Sequence, residues 1–357
     1  MRFVHKLPIA TVSALILPFL LSPNVLFARC PIRTNGTLVI DAAAGNLIID
    51  TSGTDSVDWD VNDKQNNKQI EVKEFCGSEV KIVGTAINGT IRTIPDWHIK
   101  VPRTVTLDLV THAGSITIGN SDSKINARTG GGDLSIGNVV GETLLMTQAG
   151  NVRAGNLGSN VEIRISSAGN MTVGDVGGDV SVWTLAGDIT IGSAKKISSA
   201  FTGGGNMLIH KVFGSFSGKN DAGSIRIEHA GSSVDAETGS GSIYLKMVPD
   251  KQTGDFRLNL KAGTKGAGDI TLWLPTGMKA DIQATAQGNQ VHADFPLVPQ
   301  MARGLSGTLP PSGIPAPSYV TPYSSTFALT QTGKLNGGGS PIKLHTTVGK
   351  IDIKLFN

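Results

Sequence analysis

The chain has 357 residues, with 31 Lys and Arg against 28 Asp and Glu, and a formal net charge of +3. That near-neutral balance excludes the basic footprint of a nucleic-acid binder. An aromatic content of 5% argues against stacking platforms for single strands or sugar rings.

The N-terminus carries Arg2, His5 and Lys6, then an apolar run from Leu7 to Leu21, then Leu26-Phe27-Ala28. This is the pattern of a secretory signal peptide over residues 1–28, cleaved after Ala28. The apolar run is about 15 residues, short of the ~20 that span a bilayer. The expected location is therefore exported: periplasm, cell surface or extracellular. No membrane span is expected after cleavage. Loss of Arg2 and Lys6 lowers the formal charge to +1. In an oxidising compartment the two cysteines, Cys30 and Cys76, are expected to form one disulfide.

Residues 29–106 read as an N-terminal β cap or irregular first coils, with short alternating strands at 37–41, 46–50, 69–75 and 79–83. A repeat follows. Its phrase is small–Gly–(Asp/Asn/Ser)–apolar, with glycines at Gly114, Gly132, Gly150, Gly169, Gly187, Gly205, Gly223 and Gly241. The spacing is 18 residues throughout, except for 19 between Gly150 and Gly169. A fixed period of this size marks a repeat architecture in which each unit buries its apolar face against its neighbours.

Alignment on the register glycine gives columns. Two residues after it stand Ile116, Leu134, Val152, Met171, Ile189, Met207, Ile225 and Ile243. Four after it stand Ile118, Ile136, Ala154, Val173, Ile191, Ile209, Ile227 and Leu245. With mostly polar residues between them, these pairs make short strands with one buried face. A second pair precedes each glycine (Leu107/Leu109, Val180/Val182), and a third apolar point follows seven residues after it (Val139, Leu157, Val176). Three residues before the glycine runs a hydroxyl-rich column: Thr111, Thr129, Thr147, Ser166, Thr184, Thr202, Asn220 and Thr238. Eighteen residues suit one coil of a single-chain β-solenoid, a parallel β-helix, over 107–290. A Pro/Gly/Ser-rich loop is expected over 291–325, with strands over 326–357 closing the solenoid.

Three segments carry a family resemblance. They are Ile99-Lys100-Val101-Pro102-Arg103 through Leu107-Asp108-Leu109 to Ala113-Gly114-Ser115-Ile116; Gly268-Asp269-Ile270-Thr271-Leu272-Trp273-Leu274-Pro275 with Gly277; and Lys334-Leu335-Asn336-Gly337-Gly338-Gly339 with Thr346-Thr347-Val348-Gly349-Lys350-Ile351. On these the chain resembles a bacterial family of exported β-strand-repeat proteins regarded as candidate adhesins, over roughly residues 37–357. The resemblance implies a β-repeat fold and offers no catalytic residues to carry over. The Pro-rich stretch interrupting the last coils departs from it.

Few residues suggest chemistry. The position after the register glycine holds Ser115, Asp133, Asn151, Asn170, Asp188, Asn206, Ser224 and Ser242, whose acids are three coils apart. Acid–base cleavage of a polysaccharide needs acids brought together, so this column reads as a turn ladder. One cluster is a weak metal candidate: His210, Glu228 and His229 fall on successive coils, and two imidazoles with a carboxylate can hold a cation. No cofactor is implied. The expected function is that of a non-catalytic adhesin or cell-envelope interaction protein, with a surface protein or polysaccharide as ligand. The alternatives are an envelope scaffold or stress-related binding protein, and a carbohydrate-active β-helix enzyme.

Overall fold

A computed structural model of the chain describes residues 28–62, 69–89, 91–249, 256–287, 290–300 and 328–357. Residues 1–27 of the expected signal peptide 1–28, and most of the Pro-rich stretch, lie outside the described residues. The protein is all-β. Among the described residues its strands join one 30-stranded sheet of mixed direction, and the helical content is the single turn Ile87–Gly89.

The period-two alternation becomes strands because one face of each is taken out of water. Thr106–Thr111 is buried at every second residue, as are Ile125–Thr129 and Thr143–Thr147. These strands pair in parallel at offsets of 18: Leu107 faces Ile125, which faces Thr143. A second row runs through Ile116–Ile118, Leu134–Ile136, Val152–Ala154 and Met171–Val173, again parallel and again one unit apart. A third contact line passes through single bridges Ser121–Val139–Leu157–Val176. Rows one, two and three correspond to the three apolar points of each repeat. Their inward side chains, Ile163, Ile189, Ile209, Ile225 and Leu245 among them, are fully buried in one continuous core.

The 19-residue interval corrects one column. Thr147 pairs with Ile165, and Ile165 pairs with Thr184, so Ile165 and not Ser166 occupies the hydroxyl column. The extra residue is absorbed as a bulge between Ile165 and Ala168, which leaves Ser166 exposed. A bulge placed outside the buried pair keeps Val161, Ile163 and Ile165 facing the core, whereas a one-residue slip would turn them out.

Both ends differ from the linear order that the sequence suggests. Thr37–Ala42 lies between Thr106–Thr111 and Glu79–Ala86. Asn46–Gly53 likewise lies between Ile116–Ile118 and Asp96–Pro102. At the other end Ser340–Val348 pairs with both Leu258–Ala267 and Ala280–Gln287, and Ile351–Phe356 with both Ile270–Pro275 and Val291–Ala293. The strands of 326–357 were expected to close the stack. Of these, Ala328–Leu335 lies on the outer side of Ala280–Gln287, whereas 340–356 is inserted one unit inside the stack with 280–293 further out. Each terminal segment is therefore held on both edges, where an outermost strand would fray.

Antiparallel strands finish the ends. Ile70–Cys76 folds onto Glu79–Ala86, and Ser56–Asn62 onto Asp96–Pro102. At the C-terminal side Ala328–Leu335 runs against Ala280–Gln287, and Val298–Gln300 against Ala328–Leu335. The outer strand Ile70–Cys76 carries Glu71, Lys73 and Glu74, charges that discourage edge-to-edge association. Cys30, on Ala28–Pro31, and Cys76 are joined by a disulfide with Cα atoms 5.5 Å apart.

Candidate functional site

The register glycines form the corner between rows one and two. Gly114, Gly132, Gly150, Gly187, Gly205, Gly223 and Gly241 have φ between +124° and +144°, a region closed to most side chains. A Cβ at each would run into the carbonyl oxygen of the glycine one unit before it: Gly132 into Gly114, Gly187 into Gly169, Gly205 into Gly187. That same carbonyl accepts the hydroxyl column. Thr129 Oγ1 donates to Gly114 O at 2.7 Å, Thr202 Oγ1 to Gly187 O at 2.9 Å, and Thr238 Oγ1 to Gly223 O at 2.8 Å. Asn220 does the same with its amide, at 2.7 Å to Gly205 O. Thr202 is fully buried. We expect Thr202→Val, nearly isosteric, to lower stability by about 1–3 kcal/mol by leaving a carbonyl without its donor. Urea melts of the two proteins check this.

The column after the glycine is a second ladder, and it accounts for the acids. Asp133 Oδ1 accepts the Asn151 N–H at 2.7 Å, Asn151 Oδ1 the Asn170 N–H at 3.0 Å, and Asn170 Oδ1 the Asp188 N–H at 2.8 Å. It begins at Asn46, which takes the Ser115 N–H, and ends at Asp269, which takes the Lys350 N–H. Asp133, Asp188 and Asp269 each spend a carboxylate oxygen on the next unit's backbone. A third ladder was legible in the sequence but not singled out there. Asn120, Asn138, Asn156 and Asp175 each accept the N–H of the residue one unit on, at 2.8–3.0 Å. Its signal is the Gly-Asn pair five and six residues after Gly114, Gly132 and Gly150, which becomes Gly-Asp after Gly169. Gly137, Gly155, Gly174 and Gly192 leave the room that these side chains occupy.

That glycine column stops after Gly192. In the next units its place is taken by His210, Glu228, Lys246, Trp273 and Lys354. Two residues earlier on the same outward face stand Leu208, Arg226, Tyr244, Thr271 and Asp352. The metal candidates lie here and do not converge. His210 Nδ1 is 2.8 Å from Glu228 Oε2, while Arg226 Nε donates to Glu228 Oε1 at 3.2 Å, so both carboxylate oxygens are engaged. His229 Nδ1 lies 3.3 Å from the backbone oxygen of His210 instead. No group of three His, Cys, Asp or Glu side chains able to hold a metal is found among the described residues.

Hydrogen bonding from His210, and after it from Arg226, holds the Glu228 carboxyl below its ordinary value. A lowered carboxylate contributes stability that is present above the ordinary carboxylate range and is lost as pH falls through the lowered value. We expect Glu228→Gln to flatten the acid limb of a Tm-against-pH curve. The pair is partly exposed, so solvent screening limits the difference to about 0.5 kcal/mol.

Aromatic rings on this face hold cations. Arg226 lies over Tyr244 at 4.1 Å, Lys246 over Phe356 at 4.5 Å, and Lys354 over Trp273 at 5.2 Å from ring centroids. Phe356 and Lys354 lie more than a hundred residues beyond Lys246, so the 18-residue period by itself does not bring them together.

No family model matches the chain, and no curated protein matches it. Similar solved structures include a candidate adhesin from Bacteroides fragilis, 15% identical, with a TM-score of 0.33, covering 70% of this chain and 98% of that one. Another is a candidate cell adhesion protein from Clostridium sporogenes, 10% identical, with a TM-score of 0.16, covering 92% and 99%. Likeness at these scores carries no argument about function.

Proposed function

We propose that the protein is an exported β-solenoid, a parallel β-helix of 18-residue coils, that works without catalysis as an adhesin or cell-envelope interaction protein. The observation that carries the reading is the use made of the repeating polar side chains. Asp133, Asp188 and Asp269, the acids of the corner column, are bonded to backbone N–H groups of the following unit. Glu228 is bonded to His210 and Arg226. The chemistry-bearing side chains thus hold the stack together, and what the stack offers a partner is its long outward faces. Such a surface suits recognition of an extended ligand more than turnover of a small one.

The test is incubation of the purified exported chain with a panel of cell-wall and plant polysaccharides, followed by mass spectrometry of the soluble products. The expected result is retention of material on the protein with no new oligosaccharides. Release of oligosaccharides would replace this reading with a carbohydrate-active enzyme.

A further inference from the structure

The outward face changes character along its length. In the units of Gly114 to Gly187 it shows Thr117, Ser135, Arg153, Thr172 and Thr190 beside the glycine column. From the unit of Gly205 onward the glycine column gives way to the large side chains His210, Glu228, Lys246, Trp273 and Lys354, while the column beside it holds Leu208, Arg226, Tyr244, Thr271 and Asp352. The buried columns continue unchanged where the outward glycine column is replaced, so folding of the stack does not require those large side chains.

Lys246, Trp273 and Lys354 stand in direct register on three successive strands. Each lysine is laid over a ring, Lys246 over Phe356 and Lys354 over Trp273. Among the described residues neither lysine has an ion-pair partner, and Trp273 Nε1 is buried without a hydrogen-bond acceptor. A ring fixes a cation in place without neutralising it, and a cation held that way loses less freedom when an anion arrives. The backbones of the two lysines are two strand spacings apart, on the order of 10 Å along the stack, and their side chains lean toward each other, Lys246 reaching the ring of Phe356 and Lys354 that of Trp273. The rings are covered by the cations, so they position charge and do not present open faces for sugar stacking.

We infer that the Lys246–Trp273–Lys354 column binds an acidic polysaccharide, a linear glycan bearing carboxylates, laid along the stack. The occupant follows from charge complementarity and shape. Two cations without ion-pair partners stand on one outward face, and a polymer with regularly spaced anionic groups can engage both at once. This rests on the adhesin reading and names the class of ligand.

The experiment is calorimetric titration of the exported chain with polygalacturonate, its methyl ester, dextran and single-stranded DNA. The double variant Lys246→Gln with Lys354→Gln is titrated beside it. Both changes are at the surface and keep most of each stem over its ring, and an unchanged Tm certifies the fold. Expected is binding to polygalacturonate alone, weakened by added salt and about tenfold weaker in the double variant, a ratio equal to about 1.4 kcal/mol. Equal binding by wild type and variant overturns the site. DNA bound as tightly through the same lysines overturns the glycan in favour of any polyanion. No polygalacturonate binding, while the chain still retains envelope material, overturns this inference and leaves the adhesin reading standing. Oligosaccharide release defeats that reading itself.

Discussion

Ile189→Asp is expected to unfold the central units together and to leave no folded protein at physiological temperature. Ile189 is fully buried and lies in register between Met171 and Met207. The substitution removes a side chain worth roughly 1.5–3 kcal/mol of burial and places a carboxylate where nothing pairs with it. Its backbone already serves both neighbours, so the strand cannot turn the acid outward without exposing Ile191 as well. The combined loss exceeds about 5 kcal/mol, comparable with the whole stability of an ordinary domain. Because each unit is stable only against its neighbours, the loss spreads along the stack. Circular dichroism of the purified variant reads it directly, and a variant melting within a few degrees of wild type would refute the register.

Gly187→Val is the second large effect, and it acts through the corner. Gly187 has φ +127°, and its missing Cβ points at the carbonyl oxygen of Gly169. A β-branched residue there meets both a forbidden backbone region, costing about 1–3 kcal/mol, and a backbone atom that can move only by displacing the unit below. Displacement also lengthens the Thr202 hydrogen bond to Gly187 O. We expect a total of about 3–5 kcal/mol. Gly204→Ala, at the residue just before the next register glycine Gly205, is the control: a Cβ there meets nothing within 4 Å, so its melting curve should stay close to wild type. Equal damage from both substitutions would mean that the corner tolerates no side chain anywhere, and that the column of positive φ is not the reason for its glycines.

The hydroxyl column shows how far periodicity reaches and where it stops. Counting from the glycine puts Ser166 in line with Thr147 and Thr184, yet Ile165 is there, because the nineteenth residue is accommodated after the buried pair. Which residue of an insertion bulges out depends on the packing of its neighbours, and a count from one anchor does not contain that. Pairing partners are similarly hidden at the ends. The alternation in 37–53 and 340–356 reads as strand, but alternation says nothing about which strand lies beside which. The contacts are separated by dozens of residues, and an inserted terminal strand has the same pattern as an edge strand.

The sequence by itself determined the all-β class, the 18-residue register, the inward columns and the corner glycines. Each of these follows from local rules repeated many times: a period of two, a residue without a Cβ, and a short polar side chain at a bend. The tertiary structure alone decided the insertion of both terminal segments one unit inside the stack and the Lys246–Trp273–Lys354 column. Those depend on which distant segments become neighbours, and that is set by closing the core at its two ends.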